Sequence, residues 1–249
     1  RDYKVTGVQT CALPILNKKI EITWAAVDIY QEKGRVSIPD LVNKTKFSAT
    51  EIYQFFPNKK AILSYYYPAM VIQYWAMIDE IEDFEIYAIS EKFSNFIYTM
   101  FDLMSEREDF VIDTFDKYIF QKGSRSEFHE ETTALFKEFL TTDGNIAVSA
   151  GFFMGDFYYK TLSSQFLFLV KYWLNDTSID KERTLALADK LSSLFEEIVY
   201  NKTFDKGFDL IKFVFGNKDI ESWLPKLGEC TSKEDKEDDN DHTEVEEEN

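Results

Sequence analysis

Ser48-Ala49-Thr50-Glu51-Ile52-Tyr53-Gln54-Phe55-Phe56-Pro57-Asn58-Lys59-Lys60-Ala61-Ile62-Leu63 holds two helix starts and one enforced stop. Ser48 with Glu51 three residues on is a capping-box signature: the hydroxyl accepts from an orphan N–H of the first turn while the acid reaches back to the cap. Pro57 biases Phe56 out of helical geometry, so a short third helix ends there. Asn58 then caps a fourth, long helix over residues 59–81. Working upstream, Ile22, Ala25, Ala26, Ile29 and Tyr30 share one face of a first helix, for which Gly34 is the natural stop. Ser37 caps a short second helix with Pro39 and Asp40 in its first turn. An amphipathic helix, two short helices around a tight turn and a long helix together describe a helix-turn-helix domain.

Downstream the apolar spacing stays helical, over residues 89–105, 109–122, 127–141, 145–174, 178–201 and 208–214. Turn chemistry separates these segments at Gly123-Ser124, Thr142-Asp143-Gly144, Asn175-Asp176-Thr177 and Asp205-Lys206-Gly207. The predicted class is all-α, with a helix-turn-helix domain at residues 16–63 and a larger helical domain at 64–228. Residues 229–249 carry eleven acidic side chains against Lys233 and Lys236, which predicts a disordered, solvated tail. Residues 1–15 are set aside: Val5 to Ile15 reads like a translated sequencing-library adapter, and the segment is expected to be artefactual or disordered.

Charge is distributed unevenly. Residues 16–67 hold eight Lys and Arg against five Asp and Glu, and residues 1–15 add one positive charge. The net charge of −17 therefore leaves −21 on residues 68–249. A small basic head on an acidic body suits a nucleic-acid contact confined to one end. No apolar run approaches the roughly 20 residues needed to span a bilayer, so no membrane insertion is expected. Cys230, alone outside residues 1–15, gives no disulfide framework, and a cytoplasmic location fits.

The residues also carry a resemblance. Ile22-Thr23-Trp24-Ala25-Ala26-Val27-Asp28-Ile29-Tyr30-Gln31-Glu32-Lys33-Gly34 resembles the first helix of TetR-family regulators. The stretch from Ser48 through Tyr53, Phe56-Pro57, Lys59 and Leu63 is similar to that family's recognition helix and its Tyr-x-Tyr-Phe-Pro-x-Lys-x-x-Leu signature. The resemblance covers residues 20–63. It implies that the third helix enters the major groove of double-stranded DNA, and that Tyr53 and Lys59 bind phosphate. Lys44, Lys46 and Lys60 are candidates for further phosphate contacts, with Ser48 at the cap. Thr50 and Gln54 are candidates for base readout, Gln towards adenine and Thr towards a thymine methyl. Some positions depart from the pattern. The family's Gly-Val-Ser turn is Lys46-Phe47-Ser48, the loop after Gly34 is about two residues shorter, and a frequent Thr is Glu51. An acid there repels phosphate unless it bonds a cytosine amino group or turns into the capping box.

His129 and His242 are the only histidines, and no Gly-rich phosphate loop is present, so no catalytic residue, metal site or cofactor is assigned. His129, beside Glu130 and Glu131, reads as a solvated helix residue, and Gly151-x-x-x-Gly155 as a place where helices approach closely. Aromatic residues make up 16% of the chain, which favours a ring-rich core and bulky apolar cavities. Phe93, Phe96, Phe101, Met104, Phe115, Tyr118, Phe153 and Phe157 are candidates for an apolar effector pocket. With few bases in this body, a neutral lipophilic or cationic effector is expected over an anion. The resemblance implies a homodimer formed by the helices at 145–174 and 178–201, a palindromic operator and a repressor released by ligand. The alternative function is a lipid or isoprenoid carrier on the same fold without DNA binding.

Overall fold

The computed structural model describes residues 9–120, 126–146 and 154–200, with side chains from Ile15 onward. The fold is all-α, with no strand among the described residues. In chain order the helices are α1 (Gln9–Lys33), α2 (Ile38–Thr45), α3 (Ala49–Phe55), α4 (Lys59–Ser64) and α5 (Tyr66–Ile78). They continue with α6 (Ile89–Ser105), α7 (Glu108–Ile119), α8 (Glu127–Thr142), α9 (Asp156–Asn175) and α10 (Glu182–Tyr200). Gly151, Phe153, Cys230, the helix expected at 208–214 and the acidic tail at 229–249 lie outside the described residues.

Local chemistry sets the helix ends. Gly34 takes a φ of +66° and donates to the Tyr30 carbonyl at 2.7 Å, closing α1 as glycine at that conformation does. Ser37 caps α2 through the Asp40 N–H, and Ser126 caps α8 through the His129 N–H. Ahead of α10, Asp176 accepts from the N–H and hydroxyl of both Ser178 and Thr184. These bonds hold its carboxyl well below the usual carboxylate range, the Thr184 hydroxyl contributing most.

Two expected helices are interrupted. The fourth, over 59–81, breaks at Tyr65 into α4 and α5 and ends at Ile78. Pro68 has no N–H to give the Ser64 carbonyl, and its ring crowds that turn. The segment expected as one helix over 145–174 is broken at Gly155, which is extended (φ −101°, ψ 178°) and acts as the N-cap of α9. A Cβ on Gly155 would meet nothing within 4 Å, so this glycine does not serve a close helix approach. Conversely, α1 begins at Gln9, inside the stretch set aside in the sequence.

The core is built of rings. Phe96, fully buried, meets Tyr74, Phe136 and Phe166 at centroid distances of 5.1, 5.3 and 4.8 Å. This joins α5, α6, α8 and α9. Phe101 stacks on Trp173 at 5.3 Å. Buried phenols keep partners: Tyr67 shares a hydrogen bond with Thr114 at 2.8 Å, and Tyr74 donates to Asn95 at 2.8 Å. The Trp24, Tyr66, Phe110 and Tyr30 rings form a further chain from α1 through α5 and α7. His129 is also interior, 8% exposed, its Nε2 lying 3.0 Å from the Lys160 carbonyl and 2.9 Å from the Ser164 hydroxyl. The solvated placement expected for it is corrected, because α9 covers that face of α8.

Candidate functional site

The α2–α3 corner forms one candidate surface. Ile52 and Phe56 are buried and anchor α3 from one side. Thr50, Tyr53 and Gln54, at i, i+3 and i+4, face solvent together, Tyr53 with 53% of its surface exposed. Ser48 and Glu51 form the full capping box: the Ser48 N–H donates to Glu51 Oε2 at 2.8 Å and the Glu51 N–H to Ser48 Oγ at 3.2 Å. The Ser48 N–H first, and then the Ser48 hydroxyl, which also donates to Oε2 at 2.8 Å, hold the Glu51 carboxyl below its ordinary range. Its charge thereby serves the helix start, the second of the two roles open to it in the sequence.

The lysines divide into two groups. Lys44 lies 3.2 Å from Asp28 and 3.4 Å from Glu32, both on α1, so its charge is already matched within the protein. Lys46, Lys59 and Lys60 are exposed. Lys59 and Lys60 occupy the first turn of α4, with Asn58 as cap and no acid in that turn. A helix dipole disfavours cations at that end, so Lys59 is placed against its own helix. Further back, Lys19 lies over the Tyr65 ring at 3.9 Å, and burial lowers its pKa.

Lys46 occupies the position that the resemblance gives to glycine, and its φ is +63°. A side chain in the left-handed region costs roughly 1–2 kcal/mol. Lys46→Gly is therefore expected to raise stability by up to about 1 kcal/mol, part of the gain being offset by the freer unfolded chain. Chemical denaturation reads this directly; an unchanged midpoint would show that the turn carries no strain.

A junction ties this corner to the body. Arg107, just before α7, lies 2.8 Å from Asp28 and donates to Gln31 at 2.8 Å, while Tyr30 donates to Asp113. That bond to Asp113 contributes most to pushing the Tyr30 phenol up to about 12. The neighbouring Glu108 holds Lys181 at 2.9 Å, and Lys181 sits 5.0 Å from the Trp173 ring centre.

The body carries the second candidate surface. An open apolar groove of about 460 Å³ lies among α6, α8, α9 and α10. Phe93, Ile97, Phe136, Leu162, Phe166, Phe168, Leu169, Leu191, Leu194, Phe195 and Ile198 line it, with Gln165 and Ser192 as its polar members. Beside and within it run two exposed apolar stripes: Phe157, Phe168 and Tyr172 on α9, and Leu191, Leu194 and Ile198 on α10.

Of the expected pocket residues that are described, Phe93 alone lines this groove. Phe96, Phe101, Met104 and Phe115 are buried in the core, where Phe96, Phe101 and Phe115 are packed against neighbouring rings. Tyr118 borders a smaller hollow with Asn58, Lys60, Ser64 and Ser126. Phe157 is 80% exposed. The groove residues on α10 were missed in the sequence, although Leu191, Leu194 and Ile198 at i, i+3 and i+7 were a readable second stripe.

Residues 92–214, about half of the chain, match the family described as tetracyclin repressor-like, C-terminal domain. The chain belongs to the TetR family. No curated protein matches it. The matched stretch begins in α6, so the TetR assignment comes from the body and is independent of the α1–α4 residues that carried the resemblance. Among the described residues of this TetR-family chain, no group of His, Cys, Asp and Glu is arranged to hold a metal ion. No described helix is long and apolar enough to cross a membrane.

Proposed function

We propose that the chain is a dimeric, ligand-responsive transcriptional regulator without enzymatic activity, acting as a cytoplasmic repressor on a palindromic operator. Residues 16–63 are the DNA-binding domain and residues 64–228 the ligand-binding and dimerisation domain. The observation that carries this reading is the outward face Thr50–Tyr53–Gln54 on α3, held by a capping box that also absorbs Glu51, followed by Lys59 and Lys60 at the start of α4. Tyr53, Lys46, Lys59 and Lys60 take phosphates; Thr50 and Gln54 meet base edges. Lys44 contributes less, being paired with α1. The exposed stripes of α9 and α10 support association of two copies through these helices. The carrier alternative leaves the exposed Thr50–Tyr53–Gln54 face of α3 without a purpose.

A mobility-shift titration on the DNA upstream of the protein's own gene tests the reading. Lys59→Gln is expected to weaken binding and to reduce the slope of log affinity against log salt by about 1. Tyr53→Phe is expected to weaken binding without changing that slope, since it removes a neutral hydroxyl. Equal, weak binding by parent and both variants would refute regulation through this face.

A further inference from the structure

Among the described residues two buried hydroxyls have no hydrogen-bond partner, Thr23 on α1, which lines neither hollow, and Ser192; several other helical hydroxyls follow one habit. Ser105, Thr114, Thr132, Thr133 and Ser164 each donate to the carbonyl four residues earlier, at 2.6 to 2.8 Å. Ser192 does not. Its side chain is 3% exposed, its Oγ has no hydrogen-bond partner, and it lines the groove between α6, α9 and α10. A buried hydroxyl without a partner is a rare arrangement that a ligand group resolves.

The rest of the groove defines the chemistry of that ligand. Phe93, Phe136, Leu169 and Phe195 give it apolar walls, and Gln165, exposed on α9, is the one other polar residue lining it. None of its lining residues is charged. An anionic amphiphile would find no counter-charge there and would be repelled by a body of strongly negative net charge. A cationic one would leave its charge unmatched in an apolar wall. A volume of about 460 Å³ lies within the range of small-molecule sites.

We propose that this groove binds a neutral, elongated lipid-like molecule through one hydroxyl or carbonyl group paired with Ser192 and reached from the mouth by Gln165. The site differs from the buried ring cluster around Phe96. It gives the effector of the regulatory reading a location and a chemical class, and rests on that reading only for its consequence. Because the groove opens between the stripes on α9 and α10, a bound molecule lies on the seam where two copies meet and alters how those helices pair.

The full chain is titrated with the neutral fluorophore phenylnaphthylamine, which is then displaced by dodecanol or by dodecane, with sedimentation of the same samples. Dodecanol is expected to displace the probe more strongly than dodecane. Ser192→Ala is expected to weaken dodecanol about fivefold, the worth of one hydrogen bond, and to leave dodecane unchanged. Ser192→Thr, which keeps the hydroxyl, should retain the preference for the alcohol. The proposal is overturned if dodecanol and dodecane compete equally on the parent, or if Ser192→Ala weakens both alike. It is also overturned if a chain that sediments as a dimer binds no probe, since the second copy then fills the groove. DNA is absent from this assay, so loss of operator binding would sink the regulatory reading and leave this site standing.

Discussion

Phe96→Ala is expected to lower the stability of the chain by about 3–5 kcal/mol, the range for truncating a large buried ring. Phe96 is fully buried and touches rings from three other helices, so the vacated space is bordered by Tyr74, Phe136 and Phe166, each held by further contacts. Such a site collapses poorly, which places the cost towards the upper end. Against a typical total of about 5–15 kcal/mol this is a large share. Ile112→Ala provides the contrast: that side chain, on α7 away from the groove and its stripes, is 56% exposed, and its loss should change the urea midpoint little. Similar losses for both variants would contradict the assignment of Phe96 to the core and Ile112 to an outer face.

The second large effect is alkaline unfolding. Burial pushes the Tyr66, Tyr67 and Tyr74 phenols far above their ordinary value of 10.0. Below that pH the groups are neutral in both states and their contribution to stability is complete. Above it the unfolded chain releases protons that the folded chain retains, so stability falls as pH rises towards the folded values. Each tyrosine adds a slope of up to about 1.4 kcal/mol per pH unit. The urea midpoint is expected to fall steeply between pH 10 and pH 12, and Tyr74→Phe to remove one tyrosine's share of that slope. A flat profile across this window would show that these phenols ionise freely in the fold. Tyr98, raised to about 12 chiefly by burial, is more exposed and contributes less.

Features governed by near neighbours along the chain are legible in the residues themselves. Ser37, Ser48 and Asn58 cap helices as expected, because a cap requires only a side chain and the N–H groups of the next turn. The limits of α6 are readable from its apolar period alone. Pro68 and Gly155 are visible too, yet a continuous apolar period across each masks the break it causes. Contacts between distant segments are not legible. Lys44 reads as a free cation until α2 is laid beside Asp28 and Glu32 of α1. His129 reads as solvated until α9 brings Lys160 and Ser164 against it. Ser192 looks like an ordinary polar surface residue, and only the packing of α6 and α9 around it turns it inward. Phe96, Phe101 and Phe115, expected around a cavity, instead pack against other rings, since ring-to-ring pairing depends on angles between helices that no local pattern encodes.

The turn before α7 has a further consequence. Arg107 reaches Asp28 and Gln31, while Glu108 beside it holds Lys181 next to Trp173, so two successive residues grip opposite neighbours through charge. Dissolved ions weaken exposed pairs of this kind, over a Debye length of about 8 Å at physiological strength. Added electrolyte therefore slackens this clasp, and under the proposed operator binding it also dilutes the counterion gain on a duplex. On the proposed operator, a count of phosphates taken from an electrolyte series is then expected to exceed the number of side chains that touch the backbone, and neutralising Arg107 and Glu108 together to bring the two numbers into agreement.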